Sequence, residues 1–324
     1  MKKIISIILS VLMITSLLSG CGSSASTPNS DAELHVAIVQ QLDHSSLDEI
    51  RLAAQAQLDK IAAEKGVKVE YKHFNGQNDT TVLSQIGTQV VSDGYDVIIP
   101  IATLAAQYSV TAAEGTDIPI IYAAVSDPET AGLTGLSNVT GVSDALNTPF
   151  ILDMMLAVQP EIKTVGLLYS NSEINSETPI AEAKAYLEAK GIAFLEKTGN
   201  TAGEVLEAAA SMVGRVDAVF TPTDNVVMTA EGSVASILNE AGIPHYAGAD
   251  SFVKSGAFAT CGVNYVQLGQ RTAEMAMDIL LGGQVPEYHV MEGGIITVNT
   301  ETAELLNLDY SAFKAMANTL ISVT

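Results

Sequence analysis

Residues 34–74 read LHVAIVQQLDHSSLDEIRLAAQAQLDKIAAEKGVKVEYKHF. Leu34 to Val39 is a short apolar run of the kind buried on both faces of a parallel sheet. Ser46-Leu47-Asp48-Glu49 then has the form of a capping box, with Ser46 as N-cap and Glu49 reaching back to its amide. Leu47, Ile50, Ala54, Leu58 and Ile61 recur at helical spacing, and Gly66 after Lys65 stops the helix. Val67 to Phe74 opens a second strand. Strand, helix and strand in this order make one parallel β-α-β unit.

The alternation continues outward. A helix carrying Val82, Leu83, Ile86 and Val90 ends near Gly94, strand Asp96 to Ile101 leads to helix Thr103 to Glu114, and Ile118 to Val125 is a fourth strand. After Pro160 it restarts with strand Thr164 to Tyr169, helix Ser176 to Lys190, strand Ile192 to Glu196 and helix Ala202 to Val213. Strand Val216 to Thr221, helix Val226 to Glu240 and a strand from Pro244 to Ala247 follow. Two such runs predict an α/β protein built as two doubly wound parallel-sheet lobes. Val139 to Asn147, between the runs, is small and polar and reads as a hinge. Past Ala257 come a strand to Asn264, a helix from Tyr265 to Leu281, a strand from Ile295 to Asn299 and C-terminal helical pieces.

The N-terminus reads as an export signal. Lys2 and Lys3 precede the apolar run Ile4 to Leu18, and Leu18-Ser19-Gly20-Cys21 closes it. The run is short of the roughly 20 apolar residues that a membrane span needs. Small residues leading straight into a cysteine form a bacterial lipobox. Residues 1–20 are therefore expected to be a signal peptide, Cys21 the lipidation point, and the Ser/Asn/Pro-rich stretch to residue 31 a flexible tether. The mature chain is expected on the extracytoplasmic face of a bacterial membrane. Cys261 is the one other cysteine, so no disulfide is expected, and its apolar surroundings suit a buried thiol.

Composition removes several classes of function. The net charge is -22 and no basic cluster appears, which argues against nucleic-acid binding. The five histidines are scattered without ligand spacing, so neither a metal nor another cofactor is expected. There is no phosphate-cradling glycine loop and no Gly-x-Ser-x-Gly elbow, and no enzyme activity is indicated.

In open parallel sheets ligands bind outside the carboxyl ends of the strands. The polar residues at those ends are Gln41 and Ser46, Thr103, and Ser126 and Asp127 in the first run. In the second they are Asn171, Asn175 and Ser176, then Asp224 and Asn225, then Asp250. Hydroxyls and helix starts bind carboxylates, and a buried ammonium needs an opposing carboxylate. Thr103 and Ser126 thus suit a ligand carboxylate, and Asp224, or else Asp127 or Asp250, suits its ammonium. Simple N-capping explains Thr103, Ser126, Ser176 and Asp224 equally well, and His44 reads as a loop histidine facing solvent.

Ala102-Thr103-Leu104-Ala105-Ala106-Gln107, Ala124-Val125-Ser126-Asp127-Pro128 and Asn138 to Asp144 stand in order along the chain. Lys163 to Tyr169, Asn175-Ser176, Pro222-Thr223-Asp224-Asn225 and Tyr265 to Gly269 follow them. In these stretches the sequence resembles the ABC-transporter substrate-binding lipoproteins linked with aromatic amino-acid uptake. The likeness runs through the whole mature chain, though a proline is common in that family where Leu104 and Ser45 stand. It implies a type I periplasmic-binding fold with a three-crossover hinge at Val142 to Asn147, Cys261 to Tyr265 and Gln284 to Glu292. The lobes would then be residues 32–143 with 265–284, and 144–262 with 292–324. It further implies a monomer that closes on an amino acid, aromatic side chains included, and passes it to permease subunits. Stacking partners for a ring would come from Tyr122, Tyr169, Phe252 or Tyr265. A sugar or nucleoside ligand, or a sensing role reporting to a receptor, is the alternative reading.

Overall fold

The computed structural model describes residues 33–324. The signal peptide, Cys21 and the tether lie outside the described residues. Apolar runs rich in Val and Ile become parallel strands, and each amphipathic stretch between them becomes the helix that covers a face. In the first lobe these are β1 (Glu33–Gln40), α1 (Ser45–Lys65), β2 (Lys68–Asn75), α2 (Thr80–Asp93), β3 (Val97–Ile101), α3 (Thr103–Ala112), β4 (Ile120–Ala123) and β5 (Val139–Ser143). The chain then crosses to the second lobe. There it forms α4 (Thr148–Val158), β6 (Thr164–Tyr169), α5 (Glu177–Lys190), β7 (Ala193–Thr198), α6 (Ala202–Met212) and β8 (Ala218–Thr221). The lobe continues with α7 (Asn225–Glu240), β9 (His245–Ala247), α8 (Asp250–Lys254) and β10 (Ala259–Gly262).

Two further crossings complete the topology. Helix α9 (Tyr265–Leu280) returns to the first lobe and packs along α1, and β11 (His289–Val290) joins β5. Gly269 allows the close helix contact, because a Cβ there would run into the Ile50 carbonyl. The chain then re-enters the second lobe as β12 (Ile295–Asn299), α10 (Thr300–Leu305), α11 (Phe313–Met316) and β13 (Thr319–Val323). The first sheet runs β11-β5-β4-β3-β1-β2, all parallel. The second runs β13-β12-β10-β9-β8-β6-β7, with only β10 and β12 antiparallel.

One core lies under α2 and α3, and another lies under α4 and α5. A third is shared: Leu47 and Leu268 of the first lobe belong to the same apolar cluster as Met228 and Phe252 of the second. The lobes therefore touch through packed side chains. Cys261 is buried in the second lobe, where desolvation pushes its thiol up to about 11.

Two readings of the sequence change here. Val139 to Ser143, taken as hinge, is a buried strand, and the first crossing is confined to residues 144–147. Its small residues mark close packing, since the Tyr122 ring occupies the space where a Gly141 Cβ would sit. Thr319 to Val323, taken as part of a helical tail, pairs in parallel with β12. The β-branched Thr319, Ile321 and Val323 alternate there as a strand requires.

Candidate ligand site between the lobes

The carboxyl ends of both sheets face one another across a small cavity of about 30 Å3, flanked by two larger openings, one sharing Asp144 and Tyr265 with it and the other sharing Ser126. His44, Ser46, Leu47, Thr103, Ser126 and Asp144 line it from the first lobe. Asn175, Thr223, Asp224, Asn225, Met228, Ser251 and Phe252 line it from the second, and Tyr265 at the start of α9 closes one side. The turns out of β3 and β4 are made by Ala102 and Ala124, both with positive φ (76° and 54°). A positive φ costs an alanine on the order of 1–3 kcal/mol, and such strain gathers at functional sites. Ala102 offers no side-chain cap, so the first turn of α3 presents amides beside Thr103. Leu104 N–H is already held by Gln41 Oε1 at 3.1 Å.

Three buried acids behave differently. Asp144 accepts from Ser126 Oγ at 2.9 Å and from Tyr265 OH at 3.3 Å, with no backbone amide of another residue and no cation on it. Burial holds its pKa above the usual carboxylate value. Asp224 is saturated. It caps α7 through Val227 N–H (2.9 Å) and also accepts Ser170 N–H (2.7 Å) and Ser176 Oγ (2.8 Å). Glu173 arrives from the loop after β6 and is fully enclosed. Gln41 Nε2 of the first lobe donates to it at 2.8 Å, and Asn225 Nδ2 at 2.6 Å. Desolvation, and then the neighbouring Asp224, push its pKa up to about 8. Of the pair, Asp224 has the backbone donors that favour the anion, so Glu173 holds the proton.

Several buried polar atoms lining the cavity have no partner: His44 Nδ1, Ser46 Oγ, Asn175 Oδ1 and Ser251 Oγ. These four converge on one cavity, where a bound ligand would satisfy them. The capping box does not form. His44 is the N-cap of α1, without a side-chain bond, and Ser46 sits inside the first turn with its hydroxyl free to face the cavity. Nor does His44 face solvent. Its Nε2 lies 3.0 Å from Asn225 Oδ1, and desolvation lowers its pKa.

Of the residues selected from sequence, Ser46, Thr103, Ser126, Asn175, Asp224 and Asn225 come together around this cavity. Gln41 and Ser176 stand behind it, holding Glu173 and Asp224. Asp127 bonds Thr130 and, across the lobes, Thr178 Oγ1 at 2.6 Å. Asn171 is tied at the surface to Asn200 and Thr198. Asp250 pairs with Lys254 at 2.6 Å. None of these last three lines the cavity. Of the aromatic candidates, Phe252 and Tyr265 line it, Tyr122 is core, and Tyr169 bonds Glu196. Sequence reasoning passed over Asp144 and Glu173. Asp144 was assigned to the hinge, and nothing local in the sequence marks Glu173 as buried.

The lobes are closed on each other. Gln41–Glu173, His44–Asn225 and Ser126–Thr223 (3.0 Å) all span the cleft, as do Asp127–Thr178 and the looser Glu49–Lys254 pair at 3.8 Å. Among the described residues no group of side chains is arranged to hold a metal, and no helix is long and apolar enough to cross a membrane.

Residues 35–313 match the family model described as ABC transporter substrate binding protein. A tyrosine-binding protein of Clostridioides difficile (strain R20291) is 33% identical over 323 residues, covering 95% of this chain and 93% of that one. A solved structure from Streptococcus pneumoniae, described as an ABC domain in complex with L-Trp, is 29% identical with a TM-score of 0.82. It covers 90% of this chain and 100% of that one. The ligand-free, open structure of a substrate-binding protein with adhesive properties from Clostridium difficile is 31% identical. It covers 90% of this chain and 99% of that one, with a TM-score of 0.68. Identity and coverage are nearly equal in the two structures, so the lower score against the open one accords with the closed lobes seen here.

Proposed function

This chain belongs to the ABC transporter substrate binding protein family, whose members bind substrates and are not enzymes, and we propose that it captures an aromatic amino acid between its lobes for delivery to a membrane permease. The observation that carries the reading is Asp144, a buried carboxylate without a cation in a cavity that no Lys or Arg lines. A ligand ammonium supplies the missing charge. Thr103, with the free amides at the start of α3, suits the ligand carboxylate without a basic residue. Leu47, Met228 and Phe252 supply apolar surface for a side chain. The tyrosine-binding relative and the L-Trp complex support an aromatic amino acid over a sugar. The bonds that bridge the cleft at Gln41–Glu173, His44–Asn225 and Ser126–Thr223 must break for a ligand to enter, so the lobes part to load and then close around it.

A thermal-shift panel of amino acids, sugars and nucleosides tests this assignment. Aromatic amino acids should raise the melting temperature, since ligand at a thousandfold excess over Kd stabilises by about 4 kcal/mol. A shift with sugars or nucleosides alone would overturn it.

The same reading places the mature protein on the outer face of the membrane through a lipid on Cys21. Cys21→Ser protein should leave the membrane fraction with its melting curve unchanged. Cys21→Ser protein that stays membrane-bound would remove the anchor from the account.

A further inference from the structure

Three of the four unpartnered polar atoms of the cavity belong to His44, Ser46 and Ser251. Ser46 Oγ and Ser251 Oγ belong to residues 3% and 1% exposed, one from each lobe. They sit in the first turns of α1 and α8, helices that meet across the cleft beside the Glu49–Lys254 pair. The third atom is His44 Nδ1, and the network behind it fixes its character. Asn225 gives its Nδ2–H to Glu173 and turns its Oδ1 to His44 Nε2 at 3.0 Å, an arrangement in which Nε2 carries the hydrogen. A neutral imidazole that donates from Nε2 keeps a lone pair on Nδ1. Desolvation holds the ring neutral. The cavity therefore offers one committed acceptor and two hydroxyls, close to the apolar surface of Leu47 and Phe252.

We infer that His44, Ser46 and Ser251 form a hydroxyl-recognition subsite, selecting an aromatic side chain that carries a phenolic hydroxyl over one that does not. The inference rests on the amino-acid reading above. The phenol O–H donates to His44 Nδ1, and the phenol oxygen accepts from one or both serines. An unsubstituted ring would leave these buried groups unpaired, which is how polar sites reject analogues lacking a hydroxyl. Capping does not account for either serine, because neither hydroxyl reaches a backbone amide.

Calorimetric titration with L-tyrosine, L-phenylalanine and O-methyl-L-tyrosine tests the subsite on the unmodified protein and on the Ser46→Ala/Ser251→Ala double variant. The unmodified protein should bind tyrosine at least about tenfold more tightly than phenylalanine. It should also bind tyrosine more tightly than the O-methyl ether, which cannot donate to His44. The double variant should lose about tenfold of the tyrosine preference and keep its phenylalanine affinity. Equal affinity for tyrosine and phenylalanine in the unmodified protein, or an unchanged ratio in the variant, would overturn the subsite while leaving amino-acid binding intact. Binding of no amino acid at all would instead bring down the parent reading. The tyrosine–phenylalanine comparison needs no variant, so it decides the matter even if the double substitution fails to fold.

Discussion

Asp144→Asn is expected to weaken binding of an aromatic amino acid by about 2–5 kcal/mol, the usual cost of removing one partner from a desolvated charged pair. The unliganded variant should melt no lower than the unmodified protein. Both expectations follow from what surrounds the carboxylate. Ser126 and Tyr265 each give it one hydroxyl bond and no cation offsets its burial, so its charge is a burden until a ligand brings the opposite one. Asp224→Ala should behave in the opposite way. Removing that side chain strands the amides of Val227 and Ser170 and the hydroxyl of Ser176. That should cost about 1–3 kcal/mol of stability, with little direct effect on affinity. Calorimetry beside thermal melts separates the two residues. A large affinity loss in Asp224→Ala with Asp144→Asn unaffected would return the ammonium to Asp224.

The second large effect is a pH dependence centred on Glu173. In the closed form Glu173 lies between Gln41 and Asn225, with Asp224 beside it and no cation facing it. His44, linked to Glu173 through Asn225, is held neutral by desolvation. Opening the cleft removes Gln41 and admits water, so the group returns toward an ordinary carboxylate value. Its pKa is thus higher closed than open, and closure takes up a proton. The favourable contribution is complete below the ordinary value and is lost as pH rises through about 8. Ligand affinity should fall as pH rises from about 6 to about 8, by up to tenfold per pH unit, and level off above that. Glu173→Gln should flatten this slope. A slope that persists in Glu173→Gln, or an affinity that rises with pH over this range, would show that another group governs closure.

The fold was legible because its signals are local. The apolar run at β1, the helical spacing through Leu58 and the glycine stops at Gly66, Gly94 and Gly191 each act within a few residues. The strand ends were legible too, since parallel topology fixes which loops face a ligand. The division of labour among the acids was not. Whether Asp224 or Asp144 is free depends on donors far along the chain, such as Ser170 N–H, 54 residues from Asp224. The same holds for Ser46. Its capping-box signature is sound locally, yet the helix begins two residues earlier and leaves that hydroxyl unused. Small residues at Thr140 and Gly141 read as a hinge because spacing does not distinguish flexibility from close packing against Tyr122.

The central claim is that Asp144 meets a ligand ammonium, and a protein–ligand cycle tests it most directly. Affinities for L-tyrosine and for its desamino analogue, 3-(4-hydroxyphenyl)propionate, are measured by calorimetry on the unmodified protein and on Asp144→Asn. The account predicts a strong preference for L-tyrosine in the unmodified protein that collapses in the variant, because the variant has no carboxylate to pair with the ammonium that distinguishes the two ligands. An equal preference for L-tyrosine in both proteins would contradict it.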